Sequence, residues 1–233
     1  MEILYEDNSI LVCVKEAGVP TQTAKITEKD MVSEVNNYLK RNNKSNSQAF
    51  VIHRLDREVK GVLVFAKTKK AAAALSQQIQ DGLMNKHYKA YVEGIISNND
   101  GSYILLENYL GKDSKENKAV VFHNEAVDNA DICKASVDIT NDAGKAVKLA
   151  KLEYKVEKII NDENVTLLDI NLLTGRFHQI RAQLSNLGHP IANDIKYGAT
   201  KNSKYKRFEI GLVAYRLEFI HPDSTKKMEF QLK

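Results

Sequence analysis

Between Val51 and Lys67 the chain reads VIHRLDREVKGVLVFAK, and His53, Arg54, Leu55 and Asp56 follow one another where a β-rich run enters a charged turn closed by Gly61. A carboxylate beside a guanidinium is favoured in its charged form, and a charged carboxylate can act as a nucleophile or a base. Asp56 is therefore the first candidate for chemistry. The plain alternative is a solvated surface turn, which a short charged string alone does not exclude. A second stretch, TGRFHQIR from Thr174 to Arg181, sets His178 and Arg181 three residues apart. That spacing puts both on one face near the start of a helix, where backbone N–H groups favour anions such as phosphate or carboxylate. In a third, KHYKAYVEG, strict alternation sends Tyr88, Ala90 and Val92 to one side of a strand and His87, Lys89, Tyr91 and Glu93 to the other.

The elements that must position these residues are readable in order. Ile3–Tyr5 and Ile10–Val14 form a hairpin about the turn Glu6-Asp7-Asn8-Ser9. Thr27, with Asp30 three residues on, resembles a capping box for a helix to about Arg41 that turns Met31, Val35, Tyr38 and Leu39 to one face. Thr68 caps a second helix through about Gln80, with Ala72, Leu75 and Ile79 buried, and Asp81-Gly82 ends it. Tyr103–Tyr109 reads as a strand, Gly111–Lys118 as a polar loop, and 123–145 as an insertion hairpin or mobile loop with His123 at its surface. Lys151–Ile160 and Val165–Leu173 pair about the turn 161–164, and Leu212–Ile220 and Met228–Leu232 are the last strands. Between them the third helix starts after the Gly175 bend, turns Ile180, Leu184 and Leu187 inward, and stops at Gly188 and Pro190.

A chain of 233 residues, 43% of them hydrophobic, can bury a sizeable core, and one elaborated domain over 1–233 is the expectation. No apolar run approaches the roughly 18 residues of a membrane span, nothing near the N-terminus reads as a signal peptide, and a soluble, cytoplasmic protein is expected. Cys13 and Cys133 are the only cysteines and form no CxxC pair, so neither a disulfide framework nor a metal site is indicated. From Val51 to Gly94 eight Lys and Arg face four Asp and Glu, an excess equal to the +4 of the whole chain. Such a basic concentration attracts phosphates.

HRLD with its following glycine and strand, KHYKAYVEG, and TGRFHQIR with a downstream Gly188-His189-Pro190-Ile191 and Tyr197-Gly198 together resemble the RluA-type pseudouridine synthase family over nearly the whole chain. The resemblance implies an α+β fold, a mixed and largely antiparallel sheet bent across a central cleft with flanking helices. It implies that Asp56 attacks, or takes a proton from, the ribose of a target uridine, so that the base leaves C1′ through N1 and rejoins through C5. By the same resemblance Tyr88 packs against that base and assists proton removal at C5, Arg181 pairs with the aspartate and keeps it charged, and Arg54 fills the space left by the extruded uridine. His53, Leu55, Arg176, His178 and Gln179 line the site or contact the RNA backbone. The partner implied is ribosomal or transfer RNA, with no cofactor, no metal, no membrane and a monomer as the default state; no separate N-terminal RNA-binding domain is expected. Four departures from the family pattern stand out: Lys15-Glu16 for Lys-Pro, Val59-Lys60 for Thr-Ser, Gln183 for a histidine and Asn193-Asp194 for Gly-Asp. Val59-Lys60 motivates the alternative of a catalytically silent RNA-binding protein, and a hydrolase built on Asp56 and His178 is a third reading without a supporting motif.

Overall fold

The computed structural model describes residues 1–25, 27–42, 48–97, 101–122, 139–140 and 146–232, and divides into two compact units, Met1–Tyr88 with Tyr205–Lys233 and Lys89–Lys204. The first unit opens on the expected hairpin of β1 (Glu2–Glu6) and β2 (Ile10–Lys15). Its turn forms because the Asp7 carboxylate accepts from the backbone N–H of Ser9 and of Ile10 at 2.8 and 2.9 Å. All six residues of β2 are buried, as a strand with a neighbour on each edge and packing on both faces must be.

Strand β3 (Phe50–Val51) and strand β4 (Lys60–Ala66) flank the candidate turn, and β4 pairs antiparallel with both β2 and β3. On the same edge as β3, the start of β4 runs parallel to β11 (Leu212–Ile220), which pairs antiparallel with β12 (Lys227–Gln231). That parallel contact makes the sheet mixed. It also needs a glycine: a Cβ on Gly61 would lie 2.4 Å from the Ala214 Cβ and 2.5 Å from its carbonyl oxygen. Helix α1 (Met31–Arg41) buries Met31, Val35 and Leu39. Its N-cap is Asp30 itself, accepting from the Ser33 N–H at 2.8 Å, so the cap sits three residues beyond the Thr27 start read from sequence, at a residue type that caps well. Thr68 caps α2 (Lys69–Gln80) as expected, accepting from Ala71 at 3.1 Å. The face it buries is Ala71, Leu75 and Gln78; the Gln78 amide exchanges two hydrogen bonds with the Ile220 backbone, at 2.7 and 2.8 Å, and ties α2 to β11. Ile10, Val12, Val62, Val64, Leu75, Leu217 and Phe219 form the core between them.

Strand β5 (Asn85–Glu93) carries the chain from the first unit, whose first segment ends at Tyr88, into the second. In the second unit β6 (Ile104–Asp113), β7 (Lys118–Phe122), β8 (Ile139–Thr140), β9 (Ala146–Ile160) and β10 (Val165–Leu172) pair antiparallel, β9 between β10 and β6, β7 beside β6 and β8 beside β9. Of the stretch 111–118, read as a loop, residues 111–113 end β6 and Lys118 opens β7, and in the tight turn between them Asp113 accepts from the N–H groups of Lys115 and Glu116; cross-strand pairing outweighs its polar composition. The expected insertion over 123–145, with His123, lies outside the described residues apart from Ile139–Thr140. Helix α3 (Gln179–Asn186) ends at Leu187, and Gly188 takes the left-handed conformation, φ +88°, that follows a helix C-cap. Leu187 is 38% exposed rather than inward. Among the described residues no helix is long and apolar enough to cross a membrane.

Candidate active site

Asp56 sits half-buried at the head of a turn closed by the Val59 N–H donating to the Asp56 carbonyl at 3.1 Å. The turn is fastened on the near side by Thr21, whose hydroxyl accepts from the Leu55 N–H at 3.0 Å and donates to the Leu55 carbonyl at 2.9 Å. On the far side the Arg57 carbonyl accepts from the Gly18 N–H at 2.8 Å and from the Lys15 ammonium at 3.1 Å. Lys15 is fully buried and also donates to the carbonyls of Glu16 and Val19. Burial pushes its ammonium down to about 8, a shift opposed by the charge of Asp56. The KEAGVP loop and the Asp56 turn are therefore one rigid piece, so the carboxylate is held with little conformational freedom to lose on meeting a substrate.

Tyr88, on β5, is buried at 6% exposure. Burial and the charge of Asp56 raise its phenol well above the ordinary tyrosine value, so it is a neutral O–H and a flat apolar ring beside the carboxylate. His53 is half-buried and accepts the Val64 N–H on Nε2 at 3.3 Å. Burial, then the nearby Lys86 charge, push the imidazole down to about 3; a neutral ring with Nε2 unprotonated is what that hydrogen bond requires. Arg54 is exposed, while Leu55 packs inside at 5%. Arg57 is held by Glu28 at 2.7 Å and by the Gly18 carbonyl at 3.0 Å, with its guanidinium 4.4 Å from the centre of the Phe208 ring.

The second unit holds the other residues singled out from sequence. Arg181 is buried at 2% and makes a bidentate pair with Asp194, Nε–Oδ2 2.6 Å and Nη2–Oδ1 2.8 Å, with the Tyr197 ring 5.1 Å from its guanidinium carbon. His178 is not a helical residue. It is the N-cap of α3, left-handed at φ +48°, stacked on Phe177 at 3.8 Å and hydrogen-bonded through Nδ1 to the Tyr197 hydroxyl at 3.0 Å. Gln179 is buried, its amide accepting from the Thr174 hydroxyl and the Arg176 N–H and donating to the Lys151 carbonyl and Gln183. Arg176 donates to the Leu149 carbonyl at 2.9 Å. Among the described residues no three of His, Cys, Asp and Glu gather to hold a metal ion.

Sequence reasoning missed Lys15, Thr21 and the Arg57–Phe208 contact as supports of the turn, and Asp194 and Tyr197 as partners of Arg181. Only the charge of Asp194, thirteen positions after Arg181, pointed to such a partner.

The sequence pattern of the RNA pseudouridylate synthase family matches residues 9–186. An uncharacterized RNA pseudouridine synthase of Mycoplasma genitalium is 31% identical over 235 residues, spanning 99% of this chain and 65% of that protein. The ribosomal large subunit pseudouridine synthase C of Buchnera aphidicola is 29% identical over 233 residues, spanning 97% of this chain and again 65% of the relative. The chain thus spans just under two thirds of the length of each. Among solved structures, human RNA pseudouridylate synthase domain containing 4 superposes with a TM-score of 0.73 at 20% identity, covering 100% of this chain and 88% of that one, a likeness of fold.

Proposed function

The chain belongs to the RluA-type RNA pseudouridylate synthase family, and from that premise we propose that it isomerises specific uridines of structured RNA, ribosomal or transfer, to pseudouridine. The observation that carries the reading is the fixed Asp56 turn with a protonated Tyr88 beside it. The reaction breaks the C1′–N1 bond, forms C1′–C5, moves the C5 proton away and leaves N1–H, so it balances without a redox partner or a group donor. Asp56 serves either by attacking C1′ or by taking a proton from the ribose; both roles need a charged oxygen presented without rearrangement. Tyr88 offers the flipped base a flat face and keeps its own proton.

Arg181 is the positive charge assigned to the aspartate by the resemblance, and Arg54, exposed at the head of the turn, is the side chain assigned to the stack that the uridine vacates. Extruding a base costs a few kcal/mol, which such a substitute offsets. His53, Leu55 and Gln179 act here by holding the backbone around these groups, and Arg176 and His178 by meeting the RNA. The cytoplasm, where ribosomal and transfer RNA are found, is the proposed location. The likeness to the Buchnera protein makes ribosomal RNA the first substrate to test.

The competing reading, an RNA-binding protein without activity, rested on Val59-Lys60. Val59 is packed in the core at 2% exposure, and Lys60 pairs with Glu16 at 3.0 Å. Neither disturbs the hydrogen bonds that hold Asp56, which supports the enzyme. Chemical mapping of pseudouridine in total RNA from cells with the wild-type chain, without it, and with Asp56→Ala tests the proposal. A uridine converted only by the wild type is the expected result; three identical maps would favour the silent binder.

A further inference from the structure

Phe208 is a bulky residue in the left-handed backbone region, φ +62°, and 43% of it faces solvent. Both features cost free energy, and neither serves the core of the first unit. What the ring has instead is cations: the guanidinium carbon of Arg57 lies 4.4 Å from its centroid and that of Arg207 4.8 Å. Arg57 is itself fixed by Glu28 and Gly18, and it directly follows Asp56, in the turn that Lys15 and Gly18 fasten. The exposed aromatic ring is therefore held against the turn that carries Asp56, although Phe208 and Asp56 are far apart in sequence. Around it Lys206 and Arg207 are exposed, and Glu209, the acid of this run, accepts the Lys206 N–H at 2.9 Å. An aromatic ring interleaved with cations is the composition of a surface that takes single-stranded nucleic acid, bases on the ring and phosphates on the charges.

We infer that Phe208, with Arg57 and Arg207, forms a stacking platform for an RNA base flanking the target uridine. The identity of that base as a neighbour of the target rests on the function proposed above; the surface does not. Pulling a uridine out of a helix leaves its neighbours without a stacking partner. A preset ring held by the turn that carries the reacting carboxylate supplies one of them with a new face, while Arg207 takes its phosphate. The left-handed backbone and the Arg57 contact hold the ring before RNA arrives, which lowers the ordering cost of the complex.

The chain contains no tryptophan, so Phe208→Trp introduces a single indole at the platform. Its emission is expected to be quenched by a mixed-sequence single-stranded oligoribonucleotide and left unchanged by heparin, which has charge but no bases. Phe208→Gly keeps the left-handed backbone at no steric cost and removes the ring; it is expected to bind the same oligoribonucleotide roughly 5- to 150-fold more weakly, the worth of one stacked base. Unchanged indole emission with RNA, equal quenching by RNA and heparin, or wild-type affinity for Phe208→Gly would each overturn the platform. Pseudouridine formation by the wild type is read separately on unmodified ribosomal transcripts. Product formation with an unaltered KM for Phe208→Gly removes the platform and leaves the enzyme; RNA-dependent quenching without any product removes the enzyme and leaves the platform.

Discussion

Glu16 and Lys60, each standing where the family pattern has a different residue, meet as an ion pair at 3.0 Å between the loop after β2 and the start of β4. Two departures that look independent in the sequence are one contact in the fold. The pair joins the same two segments that Lys15 joins from inside through its hydrogen bonds to Glu16, Val19 and Arg57. The Lys60 side chain is 41% and that of Glu16 63% exposed, so water and salt screen the pair, and exposed pairs of this kind contribute about 0.2–1 kcal/mol. A double-mutant cycle of Glu16→Ala and Lys60→Ala, read by urea unfolding, is expected to give a coupling within that range that shrinks in high salt. A coupling of several kcal/mol would mean that the pair, rather than Lys15 and Thr21, fastens the Asp56 turn.

Gly61 tests the parallel contact between β4 and β11. An added methyl meets the Cβ, the carbonyl oxygen and the Cα of Ala214 at 2.4, 2.5 and 2.8 Å. Gly61→Ala is expected to destabilise the first unit by about 1–3 kcal/mol or more, the usual cost of overpacking. Ala214→Gly removes only the Cβ contact and leaves the two backbone ones, so the double variant should recover part of the loss and no more. Full recovery in thermal unfolding would place the strain in the methyl–methyl contact alone.

What could be read in advance follows the range of the interaction involved. The first hairpin, the Thr68 cap of α2 and the stop at Gly188 and Pro190 are local: a turn carboxylate, a hydroxyl cap or a glycine acts within a few residues. The parallel pairing of β4 with β11 joins residues more than a hundred positions apart and left only Gly61 as a trace. Asp56, Tyr88 and Arg181 stand out in the sequence by type, but the groups that hold each of them do not. Lys15 sits at a strand end, where lysine ordinarily reaches water; here three carbonyls replace that water. Gln179 and Gln183 look like the polar face of a helix and are both buried, because each amide is spent on strand carbonyls and neighbouring side chains. His178 was read as the first member of a helical pair, whereas its left-handed backbone, held by Phe177 and Tyr197, makes it the cap.

His53 provides a pH test. Its folded value, about 3, lies below the ordinary 6.5. Between those values the unfolded chain binds a proton that the folded chain refuses, so this group makes stability rise with pH from about 3 to 6.5 and fall on acidification through the same window. His53→Gln, which keeps an acceptor for the Val64 N–H, is expected to flatten that part of the stability profile. Imidazole nitrogen shifts at pH 5 should show His53 neutral with the proton on Nδ1. A protonated ring at pH 5 would contradict the hydrogen bond from Val64.

Asp194 tests what keeps Arg181 in place. A guanidinium at 2% exposure has lost nearly all its water, and the bidentate contact at 2.6 and 2.8 Å offsets part of that loss. Removing one member of such a pair typically costs 3–5 kcal/mol, because the other charge is left desolvated. Asp194→Asn is therefore expected to lower the unfolding free energy by about that amount. Arg181→Met, which removes the charge and keeps much of the volume, should cost less when combined with Asp194→Asn than the two single changes added together. The double variant also separates stability from chemistry. If Arg181 serves the reaction proposed for Asp56, the double variant regains fold, by circular dichroism and urea unfolding, without regaining pseudouridine formation. If activity returned with the fold, Arg181 would be a structural residue of the second unit, and the assignment of its charge to Asp56 would have to be given up.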